Sequence, residues 1–185
     1  MEKIIEQLRE IEKMFSDKQF LSNEGLANEV SIHVFCYDPH DEMIVRAYFE
    51  ELANRKDTSY RIIERDLYKI FLDICESKRI LKSIPAMEKK KGSQGLLKQL
   101  LKSVPPEAFV EKMKYLPHKH GDILLITGVG KVYPFMRSHN ILDNIQHIFS
   151  DIPVVMLYPG DYNGQTLSLF GEFGDGNYYR AFNML

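Results

Sequence analysis

The sequence has few cysteines, almost no net charge and no long apolar run, and each shortage excludes a class of protein. Its two cysteines, Cys36 and Cys75, stand 39 residues apart, with no CxxC spacing and no histidine pattern beside them. That arrangement predicts two reduced, buried thiols rather than a disulfide or a metal site. We therefore expect no bound metal and a cytoplasmic location.

The charge balance is close to neutral, at −2 with a pI near 6.3. Proteins that bind nucleic acid usually carry a basic face, so this balance predicts no direct contact with nucleic acid. A lysine run at 89–91 is interpreted as a solvated turn between helices, and direct DNA binding through a local patch of these lysines is the third, less favoured hypothesis. The longest apolar runs, at 123–126 and 154–158, are of strand length, far below the ~20 residues of a membrane-spanning helix. The charged N-terminal residues lack the apolar core of a secretory signal. We expect no association with a membrane.

Apolar runs and helical periodicities alternate along the chain. Four runs without polar alternation predict strands covered on both faces, at 31–37, 60–65, 122–127 and 153–158. Helical spacing predicts helices at 2–15, 41–54, 68–84, 95–104, 105–117 and 138–150. A loop at 22–29 and a more exposed strand at 166–173 complete the pattern. This order indicates one α/β domain over residues 1–185, with an N-terminal helix at 2–15, a core over 30–185, and a mostly parallel sheet with helices on both faces.

The stretch "TGVGKVYPFMRSHN", residues 127–140, resembles a phosphate-binding loop at first sight. A Walker A loop needs a glycine five residues before Gly130 and a hydroxyl residue after Lys131. The chain has Leu125 and Val132 at those positions. The dinucleotide fingerprint fails as well, because Tyr133 stands where its third glycine would be. The sequence therefore predicts no P-loop and no nucleotide cofactor.

Two segments that follow predicted strands carry the unusual residues of the chain. Because one helix joins the strands at 122–127 and 153–158, we expect the segments 127–139 and 158–165 to lie side by side at the carboxyl edge of the sheet. Aromatic and arginine side chains there are typical of protein-binding anchors, and five are candidates: Tyr133, Arg137, His139, Tyr158 and Tyr162. Glycines and prolines there are interpreted as structural loop residues: Gly128, Gly130, Pro134, Pro159, Gly160 and Gly164.

No complete catalytic set is recognisable. His139 and Asp143 share a predicted helix face, but no nucleophile is placed beside them, which favours a capping or surface role for His139. The pair His118 and His120 lacks a third metal ligand and is interpreted as exposed loop residues. Acidic residues after the first strand, at 38–42, fit a turn and a helix N-terminus as well as they fit a Mg²⁺ site.

Several motifs taken together resemble the BrxB family, a component of BREX bacteriophage-defence systems. They are "LxTGVGxVYPFxRSHxxLxNxQ", "PVVxxYPGxYxGQxLxLFG" and a final "NYYRAF", while "GLANEVSIHVFCYDP" and "RIIERDLYKIFLDIC" fit the same family. The most specific part lies at 124–182, and the resemblance extends over nearly the whole chain.

The resemblance implies a small cytoplasmic protein that works with a DNA methyltransferase, an ATPase and a PglZ-type protein of the alkaline-phosphatase superfamily. It implies no catalytic residues for this chain. We therefore expect a non-enzymatic component that binds a partner protein, the PglZ-like protein before other BREX components. The alternative is a nucleotide-binding or hydrolytic protein with a degenerate loop at 127–139.

Overall fold

A computed structural model describes residues 2–22, 32–174, 176–177 and 181–185. Its helices are α1 (Glu2–Phe15), α2 (Lys18–Ser22), α3 (Glu42–Asn54), α4 (Leu67–Ser77), α5 (Ile84–Ser103), α6 (Pro106–Met113), α7 (Val129–Val132) and α8 (Ser138–Ile145). Its strands are β1 (Ile32–Tyr37), β2 (Arg61–Asp66), β3 (Asp122–Thr127), β4 (Val154–Tyr162), β5 (Leu167–Leu169), β6 (Phe173–Gly174) and β7 (Phe182–Asn183). Short 3₁₀ turns at Pro39–Asp41 and Leu81–Ser83 precede α3 and α5.

The strands form one sheet in the order β2-β3-β4-β1-β7, with β5 and β6 attached to the end of β4. The four long strands pair in parallel, and β5 and β6 pair antiparallel. The predicted α/β class and the mostly parallel sheet are confirmed. No helix within the described ranges is long and apolar enough to span a bilayer.

The direction of each crossover explains why helices cover both faces. The connection from β1 to β2 crosses the sheet in one direction, while those from β2 to β3 and from β3 to β4 cross in the other. Because such crossovers are right-handed, opposite directions place the helices on opposite faces. Two separate apolar cores agree with this: α1 and α3 pack on one face, and α4, α5, α6 and α8 pack on the other.

The helix predicted at 68–84 ends at Ser77, and the prediction was too long. Arg79 adopts a left-handed conformation with φ 57°. The N–H of Ile80 donates to Cys75 O at 2.9 Å and the N–H of Arg79 to Glu76 O at 2.8 Å. These two bonds form the Schellman ending that usually carries glycine, and the absence of a glycine concealed it in the sequence.

Other predicted boundaries also change. The helix at 105–117 covers only Pro106–Met113, and the helix at 138–150 ends at Ile145. Instead of one strand at 166–173, the structure has β5, a turn and β6. The turn predicted at the lysine run 89–91 is reduced to one residue, because these lysines are helical within α5 and only Gly92 (φ 70°) breaks the helical backbone. The predicted loop at 22–29 lies outside the described residues, apart from Ser22 at the end of α2, as does the strand position 31.

Candidate functional site

The loop after β3 is built around a carboxylate rather than a phosphate site. Gly128 begins α7 in the left-handed region, with φ 74°. A Cβ at this position would lie 2.5 Å from Asp66 Oδ1. That oxygen accepts the N–H groups of Tyr68 and Lys69 at 2.9 and 3.1 Å and so caps α4. A negative side chain against the glycine repels phosphate, which agrees with the failed Walker A pattern.

The segments after β3 and β4 lie side by side, as the topology predicted. β3 and β4 are neighbouring parallel strands, so their carboxyl ends meet at one edge. A Cβ at Gly130 would lie 3.1 Å from the ring of Pro159 and 2.9 Å from the ring of Phe170. Glycine at position 130 therefore permits close contact between α7, the end of β4 and the turn after β5.

Three partly exposed rings gather at this contact and form, with Arg137, what we term the aromatic patch: Tyr133, Phe170, Phe173 and Arg137. The ring centroids of Tyr133 and Phe173 are 5.2 Å apart, and those of Phe170 and Phe173 are 6.4 Å apart at 81°. Arg137 is exposed, and its guanidinium carbon lies 5.9 Å from the Tyr133 ring centroid. These distances suit mutual ring packing and a cation–π contact.

The backbone at Phe170 is unusual for an aromatic residue. Phe170 and Gly171 both have positive φ, 58° and 71°, and the N–H of Glu172 donates to Leu169 O at 3.0 Å. The N–H of Phe170 also donates to Pro159 O at 2.9 Å. Positive φ is strained for a bulky side chain, so this turn holds a large ring at the surface against its local preference.

A cavity of only about 20 Å³ lies beneath the patch, between Arg137, Ser138 and Tyr158. That volume holds about one water molecule, so this place has no room for a nucleotide or a similar small molecule. Tyr158 is only 2% exposed and lies with the buried residues of the core. It does not present its ring on the surface, contrary to our expectation, because β4 is still covered at that point.

The remaining candidates lie beside the patch or away from it. His139 is half-buried, with Nδ1 3.1 Å from the side-chain nitrogen of Asn177. The Tyr162 hydroxyl donates to Ala181 O at 3.1 Å. Pro134 is exposed and directly follows Tyr133. The structure therefore places Tyr133 and Arg137 together, while Tyr162 braces the C-terminal segment.

Two glycines, one near the end of β4 and one after it, have different surroundings. A Cβ at Gly160 (φ 153°) would lie 2.1 Å from Ser168 O, because β5 pairs directly against this residue. A Cβ at Gly164 (φ 90°) would meet no atom within 4 Å. Close backbone approach requires glycine at position 160, whereas only the turn conformation requires it at 164.

A wider groove of about 480 Å³ lies at the carboxyl ends of β1 and β4, lined in part by Asp38, Asp41 and Asp161. Burial, together with the Asp161 carboxylate, raises the pKa of the Cys36 thiol to about 12. Cys36 therefore stays protonated and is not an activated nucleophile. In the part of the chain that the structure describes, no group of three or more His, Cys, Asp or Glu side chains is arranged to hold a metal ion.

His118 is not the exposed loop residue that we expected. Its side chain is 5% exposed, its Nδ1 lies 2.7 Å from Asp151 Oδ1, and its ring stacks on Phe149 with centroids 5.3 Å apart. It is therefore a packed residue at the amino edge of the sheet. Phe170 and Phe173 are the residues that sequence reasoning missed. The available signal was two phenylalanines on either side of the Gly-Glu pair in "LFGEF".

Comparisons with known proteins agree on one family. The family model "BREX protein BrxB" matches residues 63–184. A curated BREX protein BrxB from Bacillus cereus (strain H3081.97) is 40% identical over 190 residues, covering 100% of this chain and 99% of the relative. Another, from Escherichia coli O9:H4 (strain HS), is 28% identical over 181 residues, covering 96% of this chain and 90% of the relative. No solved structure matches the chain.

Proposed function

Because the chain belongs to the BrxB family of BREX proteins, we propose that it contributes to phage defence by binding a partner protein through the aromatic patch. Family membership supports a role within a BREX system. The binding role rests on the surface itself. The proposal includes a cytoplasmic location and no enzymatic activity of its own.

The aromatic patch is the observation that carries the proposal. Phe170 is 38% exposed and Phe173 is 44% exposed. The Phe173 ring packs against both Phe170 and Tyr133, and Arg137 lies over the Tyr133 ring. Aromatic residues and arginine are enriched at the centres of protein interfaces and dominate their binding energy. The strained backbone at Phe170 holds one of these rings in place before any partner arrives, which lowers the entropic cost of binding.

The proposed partner is the PglZ-like protein of the same BREX system. The resemblance of the motif loops to BrxB proteins supports this choice, because those motifs contribute Tyr133, Arg137 and Phe170. The small volume of the cavity beneath the patch favours a flat protein contact over a small-molecule ligand.

A pulldown with matched variants tests the proposal. The tagged chain is coexpressed with the PglZ-like protein, and recovery is compared for wild type, Phe173→Ala, Arg137→Ala and Phe182→Ala. Phe182 is a suitable control because its ring is 38% exposed, close to the 44% of Phe173, but it lies on β7 beside His33. Loss of an anchor of ~2 kcal/mol weakens binding by roughly 30-fold, so we expect both patch variants to lose the partner and Phe182→Ala to retain it.

Two results would argue against this function. Undiminished recovery by folded Phe173→Ala and Arg137→Ala would remove the patch from the interface. A rise in melting temperature with ATP and Mg²⁺ that disappears in Lys131→Ala would favour the nucleotide-binding alternative instead, since specific ligands stabilise the native state.

A further inference from the structure

The near-neutral net charge conceals a strongly basic segment. Residues 78–102 contain eight Lys and Arg and a single acidic residue, Glu88, which gives this segment a charge of +7. The whole chain carries 24 basic and 26 acidic residues, so the remainder has 16 against 25, or −9. The basic residues are Lys78, Arg79, Lys82, Lys89, Lys90, Lys91, Lys98 and Lys102. We term residues 78–102 the basic segment.

All eight basic side chains of this segment are exposed. The structure, which describes this segment in full, shows none of them in an ion pair with a carboxylate. Two are engaged by neutral groups, since Lys78 donates to Ser103 O and Lys91 donates to Gln99 Oε1. The positive charge is therefore not neutralised by the protein and stays available to an external polyanion.

The segment is attached to the core by only part of its length, through partly buried apolar side chains such as Ile84 and Met87. Between positions 82 and 95 no side chain is fully buried, and the buried residues of α5 are Leu96 and Leu100. The chain folds back at Gly92, where φ is 70°, and Gly95 then lies so close that a Cβ would be 2.8 Å from Lys91 Cβ. These glycines keep Lys91 against the second half of α5, where Lys91 also donates to Gln99 Oε1, so the lysines of both halves belong to one folded unit.

We propose that the basic segment binds the phosphate backbone of double-stranded DNA without reading its sequence. Lysine is depleted at the centres of protein interfaces, whereas Lys and Arg supply most contacts to phosphate. No aromatic residue occurs between Phe71 and Phe109, so the stacking platform needed for single strands is missing. The first half of α5, before the break at Gly92, is a helix ~10–12 Å across, which fits the ~12 Å major groove of B-DNA, while the deep major groove of double-stranded RNA is too narrow for it.

The spacing of the lysines suits this ligand. Lys98 and Lys102 lie four residues apart on one helix face, about 6 Å along the axis at ~1.5 Å per residue. Successive phosphates of one DNA strand advance ~3.4 Å along the duplex axis, so these two lysines match phosphates two steps apart. This inference corrects the expectation from net charge, because a surface binds DNA through its local charge and not through the total of the chain.

Fluorescence anisotropy with a labelled DNA duplex tests the proposal. One variant carries Lys89→Gln, Lys90→Gln, Lys98→Gln and Lys102→Gln. A charge-matched control carries the same substitution at four exposed lysines outside the segment: Lys3, Lys13, Lys18 and Lys56. If the wild type contacts about four phosphates, its affinity should fall roughly 100-fold between about 50 and 200 mM salt. We expect the segment variant to bind at least about 10-fold more weakly than wild type and the control to bind within about 2-fold of wild type.

Four results would overturn the proposal, the first three of which concern binding itself. These three are no measurable binding of the wild type at low salt, equal weakening of the two variants, and equally effective competition by polyglutamate at the same charge concentration. The last of these would indicate an acidic protein as the occupant. Stronger competition by an RNA duplex than by the same sequence of DNA would also contradict it. The pulldown of the PglZ-like protein is a separate measurement, so the two proposals fail independently.

Discussion

The turn at Phe170 allows a prediction in which glycine is the more stable replacement. Phe170 has φ 58°, a conformation that costs an L-residue ~1–2 kcal/mol and costs glycine nothing. Its ring is 38% exposed, so removing the ring loses about 1–2 kcal/mol of burial, a little over half the value for a fully buried phenylalanine. Phe170→Ala loses the ring and keeps the strain, whereas Phe170→Gly loses the ring and relieves the strain.

The two variants should therefore differ in a definite direction. After the greater chain entropy of glycine is subtracted, ~0.5–1 kcal/mol, Phe170→Gly should be more stable than Phe170→Ala by roughly 0.5–1 kcal/mol. Phe173 provides the control, because it lies on β6 outside the left-handed region. There the order reverses, and Phe173→Gly should be less stable than Phe173→Ala by ~0.5–1 kcal/mol.

Urea unfolding of the four variants at one temperature measures both differences. Equal stability of Phe170→Gly and Phe170→Ala, or an advantage for alanine, would show that the turn does not hold Phe170 in a strained conformation. The backbone would then not hold the Phe170 ring in place before a partner binds.

Three further outcomes follow from single contacts. Gly160→Ala should destabilise the fold by more than ~2 kcal/mol, because its Cβ would lie 2.1 Å from Ser168 O. Gly164→Ala should cost only ~1 kcal/mol, because its Cβ would meet no other atom. If thermal unfolding ranks the two variants in the opposite order, the pairing of β5 with β4 is contradicted. Burial raises the pKa of Asp122, but hydrogen bonds from Arg61, the Lys119 N–H and the Tyr115 hydroxyl outweigh it and lower that pKa. Stability from Asp122 is thus present above its unfolded pKa of ~3.9 and lost as pH falls through the lower folded value, so acid unfolding of Asp122→Asn should depend less on pH. ATP with Mg²⁺ should leave the melting temperature unchanged, since the carboxylate of Asp66 faces the loop; a saturable shift would refute this.

The fold could be predicted well where one physical signal dominated. β1, β3 and β4 are largely buried apolar runs, and the order of the strands along the chain determined the parallel sheet. The strand expected at 60–65 was predicted to be covered on both faces, but β2 lies at the edge of the sheet and has no fully buried residue. Boundaries failed where the backbone departed from its residue preference. Arg79 adopts a left-handed conformation at the end of α4, where glycine is usual. Phe170 also adopts a left-handed conformation, in the turn after β5. At Arg79 the hydrogen bonds of the helix ending stabilise this conformation, and at Phe170 the bond to Pro159 O does so. Neither is visible in a single sequence.

The candidate site was predicted in part for a similar reason. Strand order and crossover handedness placed the two loops together, and so brought the predicted candidates Tyr133 and Arg137 to the same edge of the sheet. The exposure of an individual ring depends on whether the rest of the fold covers its position. Tyr158 lies where β4 is still covered and is buried, whereas Phe170 and Phe173 lie at the surface. The net charge of −2 is the sum of +7 on the basic segment and −9 on the remainder of the chain. The net charge therefore concealed the basic segment.

The affinity of the Phe170→Gly variant for the PglZ-like protein tests the central claim most directly. This variant removes a ring of the aromatic patch while its unfolding free energy stays within about 1 kcal/mol of wild type, so a change in binding cannot be assigned to unfolding. In titration calorimetry we expect it to bind at least about 10-fold more weakly than wild type, with Phe182→Ala unchanged. Equal dissociation constants for folded Phe170→Gly and wild type would contradict the assignment of the patch as the partner-binding surface.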